Sequence, residues 1–137
     1  MRLTSSALLA GRLSGGGAGV DTGGAGVVVA TGAGGYETQD VSDAYLDRVV
    51  GDVKLARPMT VAIDCGNGVA GKYAPILFER LGCRVVPLFC DVDGTVPNHH
   101  PDPSQPKNLA DLIERLARGD CELGLAFDGD GDRLGVV

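Results

Sequence analysis

The sequence predicts an α/β fold: a three-layer, Rossmann-like unit on a mostly parallel sheet, with the last strand truncated. Three observations predict it. Apolar runs of strand length at Thr60–Asp64, Arg84–Phe89 and Leu123–Phe127 alternate with stretches whose apolar residues recur at helical spacing. Alternation of this kind packs helices on a parallel sheet through right-handed crossovers. Each strand-like run also stops at a Gly- or Asp-rich turn, on the edge where open α/β sheets bind ligands.

Taken in order, Asp40 to Val50 reads as a helix. Ser42 is placed to cap it, Tyr45, Leu46, Val49 and Val50 form its apolar side, and Gly51 ends it. Thr60–Asp64 is a strand that stops at Cys65-Gly-Asn-Gly68. A second helix runs from Val69 to Leu81, with Tyr73, Ile76, Leu77 and Leu81 inward and Gly82 at its end. Pro75 makes its first turn irregular. After the strand Arg84–Phe89, a Pro- and Asp-rich loop covers Asp91 to Gln105. Pro106 suits the first turn of a third helix, lined by Leu109, Leu112, Ile113 and Leu116 and ended by Gly119. Leu123–Phe127 is the third strand, and a further strand begins at Leu134.

Composition narrows the function. The chain has 137 residues, and its first 35 hold half of the 22 glycines, no proline, and only Arg2, Arg12 and Asp21 as charges. Such a stretch buries too little apolar surface to offset its ordering entropy, so residues 1–35 read as a Gly-rich flexible leader and residues 36–137 as the working domain. A net charge of −6 argues against nucleic acid and against an anionic membrane surface as partners. No stretch reaches transmembrane length, and Arg12 interrupts the short apolar run that a signal peptide would need. Cys65, Cys83, Cys90 and Cys121 form no Cys-x-x-Cys pair and read as reduced, structural thiols of a cytoplasmic protein.

The chemistry concentrates in Asp128-Gly-Asp130-Gly-Asp132-Arg133. Three carboxylates at alternate positions repel one another unless a cation lies among them or water surrounds the loop. The spacing lets a looped backbone aim all three at one centre, and an all-oxygen set suits a hard ion such as Mg²⁺. The intervening glycines leave room for a phosphate, and the guanidinium of Arg133 matches a phosphoryl group. An EF-hand reading fails, because Arg133 occupies the position that needs glycine and Leu123–Phe127 is strand-like where a helix is required. A non-catalytic α/β module that binds metal or serves as structure is the alternative to an enzyme.

Two further motifs compete for attention. Gly66-x-Gly68-x-x-Gly71 follows a strand, opens a helix and has Asp91 downstream, as a dinucleotide fingerprint does. A sharp strand-to-helix turn accounts for the same glycines and is the preferred reading. Leu88-Phe-Cys-Asp91-Val-Asp93-Gly94-Thr95 resembles the nucleophile motif of haloacid-dehalogenase-type phosphatases, with Asp91 attacking phosphorus and Asp93 as acid/base. Too few residues separate it from the acidic run to hold that family's intermediate motifs.

Four strings occur in order: Asp64-Cys-Gly-Asn-Gly-Val-Ala-Gly71, Val92-Asp-Gly-Thr-Val-Pro-Asn-His-His-Pro-Asp-Pro103, Pro106-Lys-Asn-Leu109 and Ala126-Phe-Asp-Gly-Asp-Gly-Asp-Arg-Leu-Gly-Val136. Together they resemble the second domain of bacterial phosphomannomutase/phosphoglucomutase, in the α-D-phosphohexomutase superfamily. The resemblance covers residues 36–137. It implies a four-domain, Mg²⁺-dependent enzyme that interconverts hexose 6-phosphate and hexose 1-phosphate through a phosphoserine and a 1,6-bisphosphate. It also implies that Asp128, Asp130 and Asp132 are the metal ligands and that Arg133 follows them into the active site. The phosphoserine loop, the sugar-recognition loop and the acid/base residues would belong to the remaining domains, so this chain alone is expected to be inactive. His99 and His100, adjacent in a loop, are expected to order the Pro-Asn-His-His-Pro turn or to touch a neighbouring domain. Lys107 and Arg118 read as helix-surface charges.

Overall fold

The computed structural model describes residues 36–137; the Gly-rich leader expected at 1–35 lies outside the described residues. The described residues fall into two units, one ending at Tyr45 and the other spanning Leu46–Val137. In the first, the start of helix α1 (Ser42–Asp52) is capped by Asp40, whose Oδ1 accepts the Ser42 N–H at 2.9 Å. The cap is therefore Asp40, and Ser42 is the first helical residue, two positions later than the sequence suggests. Gly51 does not end the helix, which continues through Asp52.

The second unit is built on strands β1 (Thr60–Asp64), β2 (Arg84–Leu88), β3 (Leu123–Phe127) and β4 (Leu134–Val136). Their order across the sheet is β2-β1-β3-β4. β1 pairs in parallel with β2 and with β3, while β4 returns antiparallel to β3. Side chains along β1 alternate between two cores. Val61 and Ile63 join Leu125, Ala74 and Phe78 on one face; Ala62 joins Ala126, Leu112 and Leu116 on the other. Helix α2 (Ala74–Arg80) therefore covers one face and α3 (Ala110–Ala117) the opposite one, giving three layers.

Both helices are shorter than their apolar patterns suggest. Pro75 lies in the first turn of α2, and a separate 3₁₀ turn at Val69–Lys72 precedes it. Pro106–Leu109 forms a second 3₁₀ turn ahead of α3. Ile76 and Ile113, expected inward, are exposed at 42% and 49%. Phe78 packs on the core from α2, and Leu112 is the fully buried residue of α3. β2 stops at Leu88, because Phe89 takes a left-handed conformation with φ of 50°.

This topology places the ligand edge. β1 connects to α2 on one face, and α3 on the other face delivers the chain to β3. Between β1 and β3 the connections therefore diverge, which opens a crevice at their carboxyl ends. Gly66–Gly68 follows β1 and the acidic run follows β3, so both border that crevice.

Candidate metal centre

The loop after β3 closes into a tight hairpin. The Asp128 N–H donates to the Arg133 carbonyl at 3.2 Å, and Gly131, with φ of 79°, turns the chain. One carboxylate oxygen from each of Asp128, Asp130 and Asp132 lies within 4.8 Å of the others. Octahedral Mg²⁺ with oxygens at about 2.1 Å needs ligand oxygens about 3 to 4 Å apart, a separation that this limit allows. The donors are all hard oxygens, which suits Mg²⁺ rather than a thiophilic metal. Asp128 is buried at 2% exposure, whereas Asp130 and Asp132 are exposed. The set is anchored at its inner member and open at the other two.

Arg133 organises the inner member. Its backbone N–H donates to Asp128 Oδ1 at 3.0 Å and its Nε to Oδ2 at 2.7 Å. Burial alone would raise the Asp128 carboxyl, but the Arg133 backbone and side-chain donors outweigh it and hold the group at about 2. Asp132 moves the other way, pushed up first by its hydrogen bond to Asp128 and then by the charges of Asp130 and Asp128. That opposition is the electrostatic mark of like charges crowded on one point. Arg133 Nη1 also donates to Asp102 Oδ1 at 3.2 Å, yet the side chain stays 58% exposed.

The loop from Asn98 to Pro103 braces this hairpin. Pro101 is buried and fits against Gly66 and Gly129; a Cβ on Gly66 would meet Pro101 Cβ at 2.8 Å. His99 Nε2 lies 3.0 Å from Asp64 Oδ2, its Nδ1 donates to the His100 carbonyl at 3.1 Å, and its ring meets Phe89 edge-on at 5.2 Å. His99 therefore locks its own loop to the end of β1, while His100 contributes its backbone. Burial pushes the Asp64 carboxyl up, and the Gly66 N–H and His99 offset this only in part.

Asn67 ties the remaining loops together. It is buried, with φ of 62°. Its N–H donates to Phe89 O at 2.7 Å and its carbonyl accepts from Asp93 N at 3.0 Å. Its side chain donates to Asp91 O and accepts from Asn98 Nδ2, both at 2.8 Å. Neither Asn67 nor the Asp64–His99 pair stands out in the sequence. The one available signal was an acid and an amide placed at the mouth of a strand.

The glycine motif is structural. A Cβ on Gly71 would lie 2.0 Å from Cys90 O, and one on Gly68 would lie 2.8 Å from Gly129 O. The Val69 N–H also donates to Gly129 O at 3.0 Å. These glycines let the first loop press directly on the acidic hairpin. Asp93 folds back on Thr95, accepting from its N–H and its Oγ1. Among the described residues, the carboxylate group with metal-ligating geometry includes neither Asp91 nor Asp93. Among those residues, too, no helix is long and apolar enough to cross a membrane.

Comparison with known proteins finds close relatives of this domain. Residues 43–137 match the family model described as phosphoglucomutase/phosphomannomutase, alpha/beta/alpha domain II. A phosphoglucomutase of Neisseria meningitidis is 60% identical over 112 residues, covering 82% of this chain and 24% of that protein. A phosphomannomutase/phosphoglucomutase of Pseudomonas aeruginosa is 55% identical over 109 residues, covering 80% of this chain and 24% of that protein. A crystal structure of a phosphoglucomutase/phosphomannomutase family protein from Burkholderia thailandensis superposes with a TM-score of 0.76 at 60% identity. That superposition covers 78% of this chain and 23% of the other. The chain thus spans about a quarter of the length of the relatives it matches.

Proposed function

The chain belongs to the phosphoglucomutase/phosphomannomutase family, matching its domain II, and from that premise we propose that it supplies the metal loop of a Mg²⁺-dependent phosphohexomutase. The reaction is the interconversion of hexose 6-phosphate and hexose 1-phosphate, with mannose or glucose as the sugar. It passes through a phosphoserine, carried on another domain, and a hexose 1,6-bisphosphate. The observation that carries the reading is the convergence of Asp128, Asp130 and Asp132 at the carboxyl edge of the sheet.

Asp128, Asp130 and Asp132 would hold the ion, which supplies Lewis-acid polarisation of the phosphoryl oxygens. The chain's own residues do the rest. Arg133 fixes the inner carboxylate with two donors and leaves an exposed guanidinium edge to meet a phosphoryl oxygen. Asp102 steadies that guanidinium from the far side. Gly68 and Gly129 bring two backbones close enough for the hairpin to rest on the first loop. The partners on this reading are a hexose phosphate and the remaining domains of the enzyme, the phosphoserine domain above all. The net charge of −6 and the unpaired thiols fit a cytoplasmic enzyme that engages neither nucleic acid nor membrane.

A chimera tests this. Residues 43–137 replace the corresponding domain of the Pseudomonas aeruginosa relative, and conversion of mannose 6-phosphate to mannose 1-phosphate is followed with and without Mg²⁺. The expected result is Mg²⁺-dependent turnover that falls about 100-fold in Asp130→Asn, the scale of losing one transition-state electrostatic contact. A folded chimera whose turnover ignores both that substitution and chelation would support the non-catalytic module instead.

A further inference from the structure

Cys65 and Cys90 are far apart in sequence, yet their sulfurs lie 3.6 Å apart. Cys65 follows β1, is fully buried, and sits in the core on the α2 face. Cys90 lies just beyond β2, is half-buried, and packs on the same core. Parallel pairing brings them together: Asp64 is in register with Leu88, and the Cys65 N–H donates to Leu88 O. Cys90 also lines a surface cleft of about 280 Å³ together with Asn67, Phe89 and Asn98. Cys90 thus borders a surface cleft with its sulfur turned toward Cys65, and Cys65 lies fully buried behind it.

The geometry points to a peroxide-reactive modification site in which Cys90 is attacked first and Cys65 resolves it into a Cys65–Cys90 disulfide. In the first step the Cys90 thiolate takes one oxygen from hydrogen peroxide or a small hydroperoxide. The O–O bond breaks, water or the alcohol leaves after proton uptake, and Cys90 becomes a sulfenic acid. In the second step the Cys65 sulfur attacks the Cys90 sulfur. The S–S bond forms, the S–O bond breaks, and water departs with the Cys65 proton. Two thiols are oxidised by two electrons and one peroxide is reduced. Two thiols within reach of one another, one of them at a surface cleft, form the arrangement in which a sulfenic acid condenses to a disulfide.

The electrostatics agree with the division of roles. The pairing with Cys65 holds the Cys90 thiol below its ordinary range, and the same pairing, followed by burial, pushes the Cys65 thiol up. Closing the bond brings the sulfurs from 3.6 Å to about 2.05 Å, a movement within reach of side-chain torsions. Cys83 is buried, and Cys121 is half-buried on the opposite face of the sheet. They serve as internal controls.

The test uses the full chain. It is exposed to stoichiometric hydrogen peroxide under native conditions, alkylated in denaturant, and mapped by mass spectrometry. The expected result is loss of two hydrogens, a linked peptide pair carrying Cys65 and Cys90, and alkylated Cys83 and Cys121. In Cys65→Ser the intermediate is stranded, so a dimedone adduct should appear on Cys90. Circular dichroism checks that this variant folds, and the wild-type map stands whether or not it does. Four alkylated thiols after treatment, or oxidation spread equally over Cys83 and Cys121, would overturn the proposal.

Discussion

His99 Nε2 lies 3.0 Å from Oδ2 of Asp64, a fully buried carboxyl at the end of β1. The other ring nitrogen of His99 faces the His100 carbonyl, which can only accept. With Asp64 ionised, both nitrogens must donate; otherwise the proton resides on Asp64 itself. Either way a proton between the two side chains holds the Asn98–Pro103 brace against the sheet.

Removing that partner should be costly. His99→Ala leaves a buried carboxyl held by the Gly66 N–H, and a loss of about 2 kcal/mol is expected in urea unfolding. His99→Gln, which keeps one donor, should lose less than half as much. Equal stability of His99→Ala and wild type would show that the contact carries no weight.

The same carboxyl sets a pH dependence. Its folded pKa is raised above the ordinary 3.8, first by burial. A raised value favours the folded state below 3.8, and that contribution is lost as pH climbs through the folded value. Asp64→Asn removes the contribution. The stability of Asp64→Asn relative to wild type should therefore improve from about pH 3 to about pH 7. Asp128, held at about 2, acts in the opposite sense but is common to both proteins and cancels. A flat difference across that range would refute the argument.

The acidic hairpin should separate stability from binding. Asp128 is buried and accepts two hydrogen bonds from Arg133, so Asp128→Ala should cost about 2 kcal/mol even in EDTA. Asp130 and Asp132 are exposed and repel their neighbours. Asp130→Asn should leave the urea midpoint unchanged in EDTA and remove the stabilisation that added Mg²⁺ gives wild type. If the two substitutions behave alike, the inner member has no special role.

Magnesium affinity of the chain alone should be weak. Three carboxylates fill half of an octahedron, and water must complete it. Titration calorimetry should give a dissociation constant well above micromolar for wild type and no binding for the triple Asp→Asn variant. Submicromolar binding would mean that the loop is a complete site by itself.

Gly71 separates packing from nucleotide recognition. Because a Cβ there would lie 2.0 Å from Cys90 O, Gly71→Ala should cost about 3 kcal/mol. Gly94→Ala, with nothing within 4 Å, should leave the unfolding midpoint in place. A well-folded Gly71→Ala would revive the nucleotide-loop reading.

Some of this was readable residue by residue. β1 and β3 occupy the expected ranges, because each is a five-residue apolar run closed by a turn. The carboxylate triad was legible because its three members are near neighbours in the chain. The helices were less so. Ile76 and Ile113 fit a helical stripe but face outward, and α2 and α3 each bury a narrow face.

Alternation and local spacing alone determined the α/β class, the layer count and the position of the acidic loop, because those follow from contacts between near neighbours. Tertiary structure decided the rest: the antiparallel return of β4, the Asp64–His99 bridge, the Asn67 hub and the meeting of Cys65 with Cys90. Each of these depends on which segment another lies beside. That choice is made only when the sheet closes and both cores are filled, so no local pattern could record it.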